Sequence, residues 1–435
     1  MSGKTIRRWL FVSLGLAGAT ATLLIATYIQ RLPAGPRASG TLAHEAYVWQ
    51  RAWDAGVHRA VDCASSGVRA LHVLGAEVAW TDGQAHVVRV PIDYETLRNC
   101  DAHIGLVLRI GPYNGPFAES DKTAHLLADL VADLRGRAAD AGVCVEELQI
   151  DFDCATSKLD GYRTWLSALR PAAASLKLVI TALPTWLTAD AFRPLAETTD
   201  GFVLQVHSLN RPEHVNDPLT LCDPQEAAAA VERAGRIGVP FRVALPTYGY
   251  YVAFDANGRF VGLRAEGPAI TWPAGTDVRT LRAEPASLAT LVAAWNTDRP
   301  ATMNGIIWYR LPTNDDELNW HWRTLQTVMT GRIPQPLLHP RSASSAPGLA
   351  ELSLTNDGDA DAPPPTTITA RWTGTRLIAG DGLGGYELAS TTADTAVFRR
   401  KSETAGRWIA PEEGRPIGWL RFEADTEVRI DVETK

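Results

Sequence analysis

Eight short apolar runs alternate with helix-like segments between residues 44 and 330, and no other feature narrows the fold of this chain as far. The runs are 46–51, 68–74, 104–110, 148–153, 178–183, 202–207, 241–246 and 305–310. Each has the length and composition of a buried strand. Between them, Leu126, Leu127, Leu130, Val131 and Leu134 mark one side of a helix, and Trp165, Leu166 and Leu169 mark another. Residues 227–237 are Ala-rich with spaced polar positions. Eight βα units over this length predict an α/β fold of the (β/α)8 barrel type. The competing architecture, a doubly wound open sheet, carries a Gly-rich phosphate turn that is missing here.

The flanks read differently. Lys4, Arg7 and Arg8 precede an uncharged run over residues 9–29, about long enough to span a bilayer. Basic residues before the run keep that end cytoplasmic. The expectation is a signal anchor over 1–30 holding an exported, periplasmic or extracytoplasmic protein on the inner membrane. A cleaved signal with secretion is the alternative, since Ala19-Thr20-Ala21 resembles a cleavage site. Residues 31–43 and the Pro- and Ser-rich 333–348 read as linkers, bounding a barrel over 44–332. Residues 349–435 hold short alternating runs with turn residues and predict a small β-sandwich-like domain. Between the last two barrel runs, Asp255, Asn257 and Gly258 mark a turn, and a helix-like stretch follows at 288–295. That connection reads as an insertion over the barrel mouth.

The net charge is −7, with no basic run beyond the N-terminus, which argues against a nucleic-acid partner. There is no Cys-x-x-Cys or His cluster, so neither metal nor cofactor is expected. Five cysteines suit an exported protein with one or two disulfides. Cys144 and Cys154 flank one strand of about 30 Å and cannot meet. Cys154–Cys222, Cys63–Cys100 and Cys100–Cys144 stay open as pairings.

The chemistry concentrates at the fourth run. Gln149, Asp151 and Asp153 alternate with Leu148, Ile150 and Phe152, so three polar side chains share one face of a strand. Buried carboxylates are costly unless bonded or used. In a barrel of this kind the working residues sit at the C-terminal ends of strands. Those ends supply Tyr113, then Asp151 and Asp153, Trp186, Gln205 and His207, Tyr248, and Trp308 with Arg310. Acids, amides, an imidazole and aromatic faces on one rim suit a carbohydrate ligand. Glu146 and Glu147, at the start of the strand, are expected to be solvated. Arg109 and Arg310 are expected as possible partners of the Asp ladder.

Four segments, in order, resemble the family 18 glycoside hydrolases, the chitinase-like barrels. They are Glu146-Glu147-Leu148-Gln149-Ile150-Asp151-Phe152-Asp153, Arg109-Ile110-Gly111-Pro112, Leu245-Pro246-Thr247-Tyr248-Gly249, and Gly305-Ile306-Ile307-Trp308 with Asp315-Asp316. The bacterial branch called domain of unknown function 3142 is the most similar. The resemblance implies a glycoside hydrolase acting on an envelope or extracellular polysaccharide or glycoconjugate. Asp153 would be the general acid, assisted by Asp151, with Gln149, Gln205, His207, Tyr248, Trp308, Trp186, Arg310 and Tyr113 binding substrate. Asp153 stands where the family has Glu, Gln149 where it has an inner Asp, and His207 where it has a Tyr. These departures keep a second reading open, a non-catalytic carbohydrate-binding or assembly protein on the same barrel.

Overall fold

A computed structural model describes residues 35–267, 270–401 and 408–433. Eight parallel strands form its centre: β1 (Ala43–Val48), β2 (Ala70–Thr81), β3 (His103–Ile110), β4 (Val145–Phe152), β5 (Lys177–Ala182), β6 (Gly201–Gln205), β7 (Phe241–Pro246) and β8 (Met303–Tyr309). They pair in chain order, and β8 pairs back with β1, which closes a barrel. All eight overlap the predicted runs. The first begins three residues earlier, and β2 runs on to Thr81 and turns into a hairpin with Gln84–Arg89.

The outer layer holds α1 (Ala55–Ser65), α2 (Lys122–Asp140), α3 (Leu159–Ala173), α4 (Phe192–Glu197), α5 (Pro224–Gly235), α6 (Pro285–Thr297) and α7 (Trp322–Met329). Asp54, Asp121 and Asp223 start α1, α2 and α5, each accepting hydrogen bonds from backbone amides of the first turn. On α2, Leu127, Leu130, Val131 and Leu134 face the sheet and are fully buried. Each such side chain contributes roughly 1.5–3 kcal/mol. Gly75 is small where Leu134 crosses β2; a Cβ there would lie 2.7 Å from a Leu134 methyl carbon.

The lower half of the barrel is polar. Glu45, His72, Glu147, Gln149 and Arg242 are all buried. Arg242 joins Glu45 to Glu147, and His72 Nε2 lies 2.7 Å from a Glu45 oxygen. Glu147 is therefore buried and paired, where the sequence had suggested a solvated residue. Inward alternation along β4 reaches one step further down than the apolar pattern implied, and a buried carboxylate persists because the guanidinium of Arg242 meets it. Glu146, on the other face, is exposed and bonds His103 at 2.6 Å.

The stretch expected as a first linker is partly structured. Arg37–Ala38 pairs with Arg299–Pro300. Arg37 also bonds Glu232 near the end of α5 and Asp298 beyond α6. Asn296 holds Gly40 and Leu42, and Arg299 donates to the Gly40 carbonyl. Residues 36–42 thus form a strap against the end of the barrel where the strands begin. The candidate anchor, residues 9–29, lies outside the described residues. Among the described residues no helix is long and apolar enough to cross a membrane.

After β7 the chain makes a three-stranded antiparallel sheet from Gly249–Phe254, Phe260–Arg264 and Asp277–Arg282. Glu266 ties it to the loop after β8 by accepting from the amides of Glu317, Leu318 and Asn319. Of the second expected linker, Leu338–Ala346 is the edge strand of the C-terminal domain, because it pairs with Leu349–Asn356 across a tight turn. That domain has two four-stranded antiparallel sheets, and Leu352, Leu354 and Leu420 of one share a core with Ile368, Tyr386 and Phe398 of the other. It docks on the barrel through Asp361, which bridges Arg282 and His321. All five cysteines are free thiols, so none of the open disulfide pairings is formed.

Candidate active site

Strand register sets the site before any side chain is considered. Glu77, Arg109 and Asp151 are direct neighbours across β2, β3 and β4. Thr181 of β5 and, two residues above its register partner Val203, Gln205 of β6 reach Asp151 with their side chains. Both oxygens of Asp151 are occupied. Oδ1 accepts from Thr181 Oγ1 at 2.9 Å and from Gln205 Nε2 at 3.2 Å. Oδ2 accepts from Arg109 Nη1 at 3.2 Å. Burial raises the Asp151 pKa above the usual carboxylate value, opposed by Arg109 and the two hydrogen bonds.

Asp153 lies just beyond the end of β4 and is exposed at the mouth. It has no hydrogen-bond or ion partner among the described residues. Arg109 is spent on Asp151, and Arg310 is spent on Asp316 at 2.6 Å, so neither cation closes off this carboxyl. Although open to the mouth, Asp153 is walled by enough protein to lose hydration. Desolvation first, and then the charge of Asp151, push its pKa up to about 6, with Arg109 opposing. Two carboxyls two residues apart thus have different environments: one buried and bonded, the other open and without a partner.

Gln149 sits below them, fully buried. Its amide donates to Glu147 at 2.8 Å and lies 2.9 Å from His72 Nδ1, and its carbonyl accepts from Tyr47 Oη at 2.6 Å. It faces the barrel interior as part of the support beneath the mouth, without reaching the surface.

Aromatic rings line the opposite wall. His207 stacks on Tyr309 at 5.3 Å and its Nδ1 lies 3.3 Å from Tyr248 Oη. Tyr309 also packs on Tyr47, Trp49 and Tyr248 within 6 Å. Tyr250, from the inserted sheet, stands 5.4 Å from Tyr248. Burial lowers the His207 pKa to about 4, leaving a neutral imidazole at physiological pH. Burial also raises the phenols of Tyr47, Tyr248 and Tyr309, so they remain hydrogen-bonding hydroxyls. Arg109 lies over Trp49 at 5.7 Å.

Asp151, Asp153, Gln205, His207 and Tyr248 therefore converge, with Gln149 beneath. Four expected residues stand elsewhere. Trp308 is fully buried, bonds His44 and packs on Trp320, because alternation along β8 turns it outward and Tyr309 inward. Trp186 is fully buried between Tyr162 and Phe192. Tyr113 packs on Trp80, Phe117 and Trp165 in the layer outside the barrel. Arg310 organises its own loop through Asp316, which also accepts from the Thr313 amide and Asn319. Residues the motifs did not flag are Tyr47, Trp49, Glu77, Thr181, Tyr250 and Tyr309. Period-two alternation on β1 and β8 carries the signal for Tyr47, Trp49 and Tyr309.

No curated protein matches this sequence. Among solved structures, the spore cortex-lytic enzyme SleL of Bacillus megaterium QM B1551 superposes with TM-score 0.48 at 12% identity, over 68% of this chain and 75% of its own. A chitinase from Bacteroides thetaiotaomicron gives TM-score 0.45 at 13% identity, over 68% and 97%. A chitinase from Chromobacterium violaceum ATCC 12472 gives 0.43 at 16%, over 67% and 99%. Residues 339–423, most of the C-terminal domain, match the family described as Domain of unknown function (DUF8456). Residues 106–314, which carry the whole acidic ladder and run through β8, match the family described as Domain of unknown function (DUF3142).

Proposed function

We propose that the protein is a glycoside hydrolase of an extracytoplasmic polysaccharide or glycoconjugate, with Asp153 as its general acid. The observation that carries this reading is the Asp153 carboxyl, open at the mouth and without a partner among the described residues, its pKa pushed up to about 6 by burial and Asp151. A group with that pKa is protonated often enough near neutrality to deliver a proton to a glycosidic oxygen. The C–O bond to the leaving sugar breaks as that proton arrives, and water completes the hydrolysis. Asp151 acts through Asp153. Its oxygens are held by three donors, so it serves as a fixed charge and not as a nucleophile.

The remaining rim fits the same ligand class. Tyr309, Tyr248, Tyr250 and Trp49 offer ring faces, while Gln205 and Arg109 offer polar edges. The test is release of reducing ends by the full chain from a panel of oligosaccharides, run beside Asp153→Asn. Wild type is expected to cleave at least one of them, and the variant to bind it without cleaving. If both bind glycan and neither releases product, the non-catalytic reading stands instead.

A further inference from the structure

The strap at residues 36–42 has a directional consequence. It is pinned where the strands begin. The Ala301 amide donates to the Pro36 carbonyl, Ala38 pairs with Arg299, and Arg37 reaches Glu232 and Asp298. Helices of the outer layer run opposite to the strands, so the ends of α5 and α6 that Arg37 touches lie at this same end. The proposed site lies at the other end. β3 alone, at about 3.3 Å per residue, puts roughly 25 Å between the two.

The uncharged run ends at residue 29, and the described chain begins at 35, one residue before the strap. Six residue steps reach at most about 20 Å even when fully extended. A bilayer holding residues 9–29 is therefore confined to the neighbourhood of the barrel floor. Exposed groups there carry both signs, Arg69 and Lys177 beside Glu146 and Asp200, so a tether and not a basic patch governs the contact.

We propose that the barrel floor is a membrane-facing surface and that the mouth points away from the bilayer. The strap sets the direction, because it fixes where the tether leaves the barrel. The partner is the lipid surface on the outer side of the inner membrane. The proposal rests on residues 9–29 remaining attached, and it is independent of whether the mouth hydrolyses anything.

The test uses the full chain in lipid vesicles that carry a short-range acceptor dye on their headgroups. A donor on the native, exposed Cys144, immediately before β4, reports the floor in a Cys63→Ser background. A donor at Asn114→Cys, in the exposed loop after β3, reports the mouth in a Cys63→Ser, Cys144→Ser background. Transfer at the floor is expected to be at least twice that at the mouth. Arg37→Glu, which repels Glu232 and Asp298, is expected to leave vesicle binding intact and shrink that contrast. Equal transfer at both positions, or stronger transfer at the mouth, overturns the orientation. A contrast unchanged in Arg37→Glu removes the strap as its cause. A mature N-terminus beyond Ala21, or no vesicle association at all, overturns the tether and leaves the hydrolysis assay untouched.

Discussion

At the scale of single residues, Asp153 carries the most exposed claim. Its pKa is raised by burial and by Asp151, so a reaction needing its proton is expected to fall as pH rises through about 6. Asp153→Asn is expected to lower kcat by about a hundredfold or more, measured as product release at pH 5.5. The same shift has a stability sign. A carboxyl with a folded pKa above its unfolded value binds protons more readily when folded, so stability declines as pH rises between about 4 and 6. Asp153→Asn is therefore expected to raise Tm at pH 7 and to leave it unchanged at pH 3, as followed by thermal unfolding. His207 works in the opposite sense. Its pKa of about 4 means that the unfolded chain takes the proton first, and stability is lost as pH falls from about 6.5 toward 4.

At the scale of elements, strands were legible and rim loops were not. The acidic ladder was legible because period-two alternation and burial agree on β4. The same rule was ambiguous at β8, where Trp308 and Tyr309 are adjacent and both aromatic. A shift of one residue decides which of them faces the mouth, and the helix layer needed the larger, apolar ring. Trp186 and Tyr113 follow strand ends where the chain has turned outward, so their position after a strand carried no information about direction. Arg310 was misplaced for a different reason, since its partner Asp316 lies six residues on in a loop. That pair is almost wholly buried, with side chains 15% and 8% exposed. Asp316→Ala strands a buried guanidinium and the Thr313 amide, and a loss of about 3 kcal/mol is expected in denaturant unfolding. Asp316→Asn, which keeps an acceptor for the amide, is expected to cost less.

At the scale of the whole molecule, two cores meet across a charged hinge. Asp361 is held by Arg282 and His321, and neighbouring bonds run from Thr327 to Asp359 and from Arg323 to Glu412. Burial pushes the Asp361 pKa up, but His321 and Arg282 outweigh it and hold the pKa below its ordinary value, so its contribution to docking is lost as pH falls. Asp361→Ala is expected to split one calorimetric transition into two, with the C-terminal domain melting first, because each domain has its own apolar core. A single transition with an unshifted midpoint would count against Asp361 as the coupling residue.

Gln149 is the one neutral rung between Glu147 and Asp151, and it spaces the buried ion cluster from the carboxyls at the mouth. Hydrogen bonds join it to the ion cluster below, while the Asp153 carboxyl is shifted by burial, Asp151 and Arg109. Gln149→Glu would place a further carboxylate between those of Glu147 and Asp151. Its added negative charge is expected to move the alkaline limb of activity to higher pH while lowering Tm, and an unmoved limb would mean that the two halves were separate for another reason.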